Sequence, residues 1–479
     1  MDMQNREDSI KNILMVTAFP TYGAGSGVQV TALANSYLKE GKNVAIITAN
    51  NRTDFDKIPG VKYHIVPFKS EEENPEIIKG QCDFNYLMFT THTESTANFW
   101  DASLEQIREY EQAFRKAINE EVREFKPDII HGQHNWISTS IATETGVPVV
   151  TTIHGTDLMG FERSKKELQK VRRELKTETD PEKIKKLKKE EEKYNFYIEC
   201  ANRAAINARK IIVISEAQEE EFKRLFPLAA SKVELIENGY DTSKFYVDPN
   251  VNKEEVIGSL VSQNTPDGKI DLDYDKLVVF VGKFADFKGI DVMLDAAKLY
   301  EEELSEQGQK VLTLIVGSGQ LEDQLKAQAK ELGLRNTHFV GRKNTDEVRQ
   351  IQNLADVSLI PSRNEPFGLV VIEGMACGHP VIGTNAGGIP GILNINKEDI
   401  SDKNKTYVTP VGVLVPMDDS KALSDAVCDV LSGKDKFDKD FIVDYTKEHY
   451  SQEGITKKIL SVFDEASKGA KKNLHSVER

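Results

Sequence analysis

Short apolar runs rich in Val, Ile and Leu alternate with amphipathic helical stretches along the chain, a pattern that restricts it to parallel α/β architecture. The cycle occurs twice. In the first half the expected strands are Asn12–Ala18, Asn43–Ala49, Lys62–Phe68, Asp128–Gly132, Pro148–His154, Lys210–Ser215 and Lys232–Glu237. In the second half they are Leu277–Lys283, Val311–Gly317, Thr337–Gly341, Asp356–Pro361, Pro380–Thr384 and Val411–Val415. Their near-continuous apolar character suits strands covered on both faces. Between the halves, Phe245–Asp275 is rich in Asp, Asn, Pro and Gly and reads as a linker or surface excursion. The expected organisation is an N-terminal α/β domain over 1–245, a linker over 246–275, a second α/β domain over 276–445, and a C-terminal helix over 446–479 free to pack back on the first domain.

A length of 479 residues gives ample chain for more than one core. The net charge of −15 argues against a generic polyanion or nucleic-acid binder. Cys82, Cys200, Cys377 and Cys428 are far apart and form neither a disulfide framework nor a zinc motif, which fits a reducing cytoplasm. The polar N-terminus lacks a signal-peptide core, and no run approaches the length of a membrane span.

One segment breaks the alternation. From Ser164 to Lys193 there are 12 basic and 8 acidic residues, a net of +4, with Leu168, Val171, Leu175, Ile184 and Leu187 at helical spacing around a break at Thr177–Pro181. Two charged helices forming a hairpin are expected. The hairpin has two readings: a solvated excursion held by ion pairs, or an arm that meets a membrane surface or a protein partner.

The first strand runs into Gly23-Ala24-Gly25-Ser26-Gly27-Val28 and then a helix. Glycines at such a turn let backbone N–H groups approach a phosphate. Val28 stands where a dinucleotide fingerprint needs its third glycine, and the second strand ends in Asn50 without an acidic residue for a ribose, so an NAD enzyme is disfavoured. The most specific signal is Pro361-Ser362-Arg363-Asn364-Glu365-Pro366-Phe367-Gly368-Leu369, continuing to Glu373 in an apolar helical run. A charge among Val, Ile, Met and Ala is costly without a partner, so Glu373 points to a ligand. Carboxylates at 365 and 373 could grip the hydroxyls of two sugars. Lys283 and Lys288, on the loop after the first strand of the second half, are suited to clamp a diphosphate leaving group. His154 and Asp157 end one strand of the first half and Ser215 another, where open sheets bind ligands. Asp271-Leu272-Asp273 has DxD spacing but lies in the linker and is assigned no metal.

Taken together, these motifs with Gly317-Ser318-Gly319, Asn238-Gly239-Tyr240-Asp241 and Gly387-Gly388 resemble the family-4 retaining glycosyltransferases of GT-B architecture. The resemblance spans about Asn12 to Leu460, apart from the charged arm. It implies two Rossmann-like domains facing across a cleft, with a nucleotide-sugar, commonly a UDP-sugar, as co-substrate and no further cofactor or metal. Carried over, Glu373 would bind the ribose, Glu365 the donor sugar, Lys283 and Lys288 the diphosphate, and the backbone of Phe367, Gly368 and Leu369 the sugar and phosphate. Arg342 would lie near the base, and Gly25 and Gly27 would close over the phosphates. His154, Lys288 and Glu365 form the expected catalytic set, with Asp157 and Ser215 as acceptor candidates. The acceptor would be a sugar, a glycan or a lipid-linked group. Lys283 stands where the family often has Arg, Gly391 replaces a common Glu, and Tyr240 replaces a usual Val. A sugar phosphorylase, a nucleotide-sugar epimerase or a non-catalytic partner subunit are the alternatives on the same fold.

Overall fold

In β1 (Asn12–Thr17) the side chains alternate: Leu14 and Val16 enter one apolar core, Ile13 and Met15 another. That period of two, with both sets buried, requires helices on both faces of the sheet. The computed structural model describes residues 10–23, 25–72, 78–90 and 95–477. It divides into two units, one formed by Met1–Ile214, Gln218–Glu237 and Ile455–Arg479, the other by Ser215–Ala217 and Asn238–Gly454.

The first unit continues through β2 (Asn43–Asn50), β3 (Lys62–Pro67), β4 (Ile129–Gln133), β5 (Val149–Thr152), β6 (Lys210–Val213) and β7 (Val233–Leu235). Its sheet is parallel throughout, in the order β3-β2-β1-β4-β5-β6-β7, with Ile13 in register with Val44 on one side and Ile129 on the other. The order reverses beside β1, so the carboxyl ends of β1 and β4 flank the crevice where open sheets take ligands. Ile455, Ile459, Val462, Phe463 and Ala466 form one stripe of the helix Gln452–Val477 and join the core built on Ile13 and Met15.

The second unit holds β8 (Lys276–Val281), β9 (Val311–Val316), β10 (Thr337–Gly341), β11 (Val357–Ile360), β12 (Val381–Thr384), β13 (Tyr407–Thr409) and β14 (Gly412–Val415), in the order β10-β9-β8-β11-β12-β14-β13. Here the switch point lies between β8 and β11. The edge strand β13, antiparallel to β14, has no counterpart in the sequence reading, because three residues are too few to show a period.

The segment expected as a linker is folded onto the second unit. Asn252 caps the helix Lys253–Gly258 by accepting from the N–H groups of Glu254 and Glu255. The Gln263 N–H donates to the Phe339 carbonyl at 2.7 Å, the Asn264 amide bridges Thr337 and Phe339, and Asp248 pairs with Arg349 at 2.8 Å. The sheet edge at β10 is thereby covered. These contacts use amide and carboxylate groups rather than an apolar stripe, so periodicity did not reveal them.

The charged hairpin consists of the helices Thr156–Leu175 and Pro181–Asn207, longer than the 164–193 expected. Its base is buried: Tyr197 OH donates to the Phe99 carbonyl at 2.6 Å, and the Lys193 ammonium donates to the carbonyls of Trp100 at 2.9 Å and Ala102 at 3.1 Å.

Phe463 is fully buried against Tyr37 and His131. Phe463→Ala is expected to cost the first unit about 3–5 kcal/mol. Thermal melting should fall by several degrees, and an unchanged melting curve would remove this helix from the core.

Candidate functional site

In the second unit, two loops at the carboxyl edge of the sheet are locked together through main-chain groups. The N–H groups of Arg363 and Asn364 donate to the Phe287 carbonyl at 2.8 and 3.3 Å. Gly289, at φ +64°, begins the helix Ile290–Glu306 so close to Pro361 that a Cβ there would overlap the Pro361 carbonyl. A second constraint comes from the turn after β12. The Gly388 N–H donates to the Glu365 carbonyl at 2.9 Å, and Gly387, at φ +55°, leaves no room for a side chain against that same oxygen. Only glycine satisfies both the conformation and the contact.

With its backbone fixed, Glu365 directs its carboxylate to the Lys288 ammonium at 2.5 Å, while Ser362 Oγ lies 3.4 Å from the same oxygen. Both charges are largely buried, the side chains keeping 18% and 13% of their exposure. The ammonium has three donors, and one ion pair leaves the others able to meet an anion. Gly368 starts the helix Leu369–Ala376, whose N-terminus adds unpaired backbone N–H groups beside the loop.

Glu373 lies on that helix in a different environment. Among the described residues it makes no hydrogen bond or ion pair. Burial pushes its carboxyl up to about 7, against a smaller opposing pull from Lys244. It is nevertheless only partly covered, so a solute can reach it. A recessed carboxylate with unused acceptor sites suits a neutral hydroxyl donor.

Arg363 was not singled out from sequence. Its guanidinium takes Asp291 bidentately, at 3.0 and 2.6 Å, reaches Asp418 through Nε at 2.6 Å and donates to the Asp286 carbonyl at 2.7 Å. It thereby ties together the loops after β8, β11 and β14. The signal in sequence is slight, because Asp286, Asp291 and Asp418 are far from Arg363 along the chain. Lys283 is exposed on the loop that carries Lys288, and Arg342 is exposed just after β10.

The first unit carries a separate set. His154 Nε2 lies 2.8 Å from Gln133 Oε1, so the ring donates to the amide oxygen from that nitrogen. Burial, reinforced by His134, pushes His154 down to about 3, and burial likewise holds His131 and His134 at about 3. All three are neutral at pH 7. Asp157, expected as an acceptor contact, is instead turned inward: it is 1% exposed and accepts from the N–H groups of Asn135 at 2.8 Å and His154 at 3.3 Å. Its burial raises its pKa. The side chain thus fixes the strand-end backbone that bears His154. Gln133 Nε2, His134 Nδ1 and Asn135 Oδ1 are buried there without a hydrogen-bond partner among the described residues.

Gly25 and Gly27 open the helix Gly25–Lys39, and Gly27 lies against the Pro20 carbonyl; Ala24, between them and Gly23, lies outside the described residues. Ser215 groups with the second unit, and its hydroxyl donates to the Pro366 carbonyl at 2.9 Å, beside Glu365. Asp273 of the DxD spacing pairs with Lys310. Among the described residues no group of three or more His, Cys, Asp or Glu could hold a metal ion.

The model of the group 1 glycosyl transferases matches residues 263–447, and that of glycosyltransferase family 4 matches residues 99–244. An uncharacterized glycosyltransferase of Methanocaldococcus jannaschii is 30% identical over 260 residues, which cover 53% of this chain and 59% of that protein. The D-inositol 3-phosphate glycosyltransferase of Corynebacterium urealyticum is 27% identical over 274 residues, covering 55% and 58%. The chain thus spans somewhat over half the length of these relatives. Among solved structures, sucrose-phosphate synthase from Thermosynechococcus elongatus superposes with a TM-score of 0.62 at 17% identity, covering 95% of this chain and 98% of that one. The catalytic domain of starch synthase IV from Arabidopsis thaliana gives 0.62 at 15% identity, covering 96% and 100%. The structural likeness carries the GT-B fold, and with both family models matching in chain order the protein belongs to the group 1, family 4 glycosyltransferases.

Proposed function

We propose that this protein transfers a sugar, with retention at the anomeric carbon and without a metal ion, from a nucleoside-diphosphate sugar to an acceptor hydroxyl. A UDP-sugar is the first choice of donor. The observation that carries the reading is the pairing of the Lys288 ammonium with Glu365 on one strand-end loop system that also bears Glu373 with free acceptor capacity. Relatives on this fold support it: one solved neighbour was crystallised with UDP-glucose and another with ADP and acarbose.

In this reading Lys288 and the exposed Lys283 meet the diphosphate, and together with the N–H groups of the helix starting at Leu369 they take the role of a divalent ion. Glu365 takes hydroxyls of the transferred sugar and Glu373 those of the ribose. Phe367, Gly368 and Leu369 contribute backbone contacts, Arg342 flanks the base, and Gly25 and Gly27 approach the phosphates. His154, neutral, acts as a hydrogen-bonding group rather than as an acid.

The acceptor oxygen forms its bond to the anomeric carbon as the bond from that carbon to the phosphate oxygen breaks. The acceptor's proton passes to the departing phosphate oxygen, on the same face. Charge builds up on the diphosphate, where Lys288 and the helix N-terminus stabilise it.

Glu365→Ala, Glu373→Ala and Lys288→Ala are each expected to lower turnover at least ~100-fold with the fold retained. Near-normal rates in all three would overturn the assignment.

Glu373 adds a proton-linked test. Hydroxyls that donate to the carboxylate favour its ionised form, so donor binding should lower its pKa from about 7 and release protons between about pH 6 and 7. Affinity then rises with pH through this range and levels above it. Calorimetry in buffers of different ionisation enthalpy should detect the release in the wild type and lose it in Glu373→Gln; equal release in both would remove Glu373 from the site.

Arg363→Ala leaves Asp291 and Asp418 without their countercharge, an expected loss of about 1–2 kcal/mol because both carboxylates are partly solvated. Adding Asp291→Asn should restore part of the melting temperature and of UDP affinity. A double variant worse than the single one would show that repulsion between the loops is not the cause.

A further inference from the structure

The charged hairpin has a mixed composition but a sorted surface. Its acidic residues near the base are engaged: Glu190 pairs with Lys193 at 2.9 Å, Glu191 with Arg172 at 2.8 Å, and Glu192 with Arg108 at 3.2 Å. Lys189 is tied back to Glu105. Beyond these pairs, Lys166, Lys170 and Arg173 are exposed at i, i+4 and i+7, on one face of the helix Thr156–Leu175. On the helix Pro181–Asn207, Lys185, Lys186 and Lys188 are exposed as well. None of these six forms an ion pair among the described residues. Between Lys165 and Lys189 the acidic residues without an ion pair are Glu167, Glu174, Asp180 and Glu182, fewer than the unpaired basic ones.

We infer that the outer part of the hairpin is a docking surface for an anionic lipid bilayer. Charge complementarity selects an anionic partner. The residue types select its kind. No large hydrophobic residue between Met159 and Ile206 is exposed, and stable protein interfaces need apolar or aromatic anchors and are poor in lysine. A lipid surface asks only for basic residues within a Debye length of its headgroups, each contributing independently. The rooted base supplies the rest. With Lys193, Tyr197 and Arg108 fixing the hairpin, binding orders little new structure. Overall acidity does not oppose this, because the basic residues lie together on an extended element rather than being averaged into the scaffold.

The test is co-sedimentation of the full chain with vesicles of phosphatidylcholine alone or with about 30% phosphatidylglycerol, at about 50 and about 500 mM NaCl. The protein should sediment with the anionic vesicles at low salt and be released by high salt. Lys166→Glu/Lys170→Glu/Arg173→Glu should weaken partitioning at least ~100-fold. The shift in melting temperature produced by UDP should stay unchanged in that variant, so the result is independent of the transferase reading. No binding of the wild type to anionic vesicles, equal binding by the variant, or retention on duplex DNA or polyglutamate in place of vesicles would each overturn the inference.

Discussion

The arrangement of the second unit depends on a single guanidinium. Asp286 and Asp291 follow β8, Asp418 follows β14, and the three carboxylates would repel one another at the carboxyl edge of the sheet. Arg363 takes Asp291 and Asp418 through charge-assisted hydrogen bonds and the Asp286 main-chain carbonyl as well, with the Asp286 carboxylate 3.5 Å away. The same residue gives its backbone N–H to Phe287, so the loop bearing Lys288 is held at both its main chain and its flanking acids. Lys288 can then face Glu365 without searching for it. This is preorganisation in a plain sense: main-chain contacts and the Arg363 network set the geometry of the ion pair before any ligand arrives.

The two carboxylates of this unit illustrate how environment divides similar groups. Glu365 stands beside an ammonium. Glu373, eight positions on, is pushed up to about 7 by burial without a close countercharge. The contrast extends to the first unit, where burial keeps three histidines neutral and Asp157 serves the backbone. A front-face transfer in which the leaving phosphate takes the proton makes no demand for an imidazolium. The neutral His154 is compatible with that chemistry and would be poorly suited to general acid catalysis.

Much of this was legible in sequence because it follows from local periodicity or from motif composition. The strands reappear with ends shifted by a residue or two, and Glu365, Lys288 and Gly387 come from motifs whose spacing is carried by the chain itself. What escaped has a common cause. Asp291 and Asp418 meet Arg363 only after the sheet has formed, Asn264 covers β10 with its side-chain amide, and β13 is too short to have a period. Asp157, expected at the end of a strand, lies in the first turn of the helix Thr156–Leu175 and faces inward, and nothing in sequence distinguishes a carboxylate aimed at a ligand from one accepting backbone N–H groups.

The charge of the hairpin makes the same point about averages. A net of +4 over Ser164–Lys193 describes a segment whose two signs could cancel along its length. They do not cancel in space, because the consecutive acids Glu190, Glu191 and Glu192 all sit where the second helix enters the core and find partners there. The lysines farther out are then left with solvent on one side and few acids on the other. Burial of Lys193 is what fixes this division: a buried ammonium must be satisfied, and its contacts with Glu190 and with the carbonyls of Trp100 and Ala102 set the depth to which the hairpin is rooted. The basic face is therefore a consequence of how the base is packed as much as of how many lysines the segment contains.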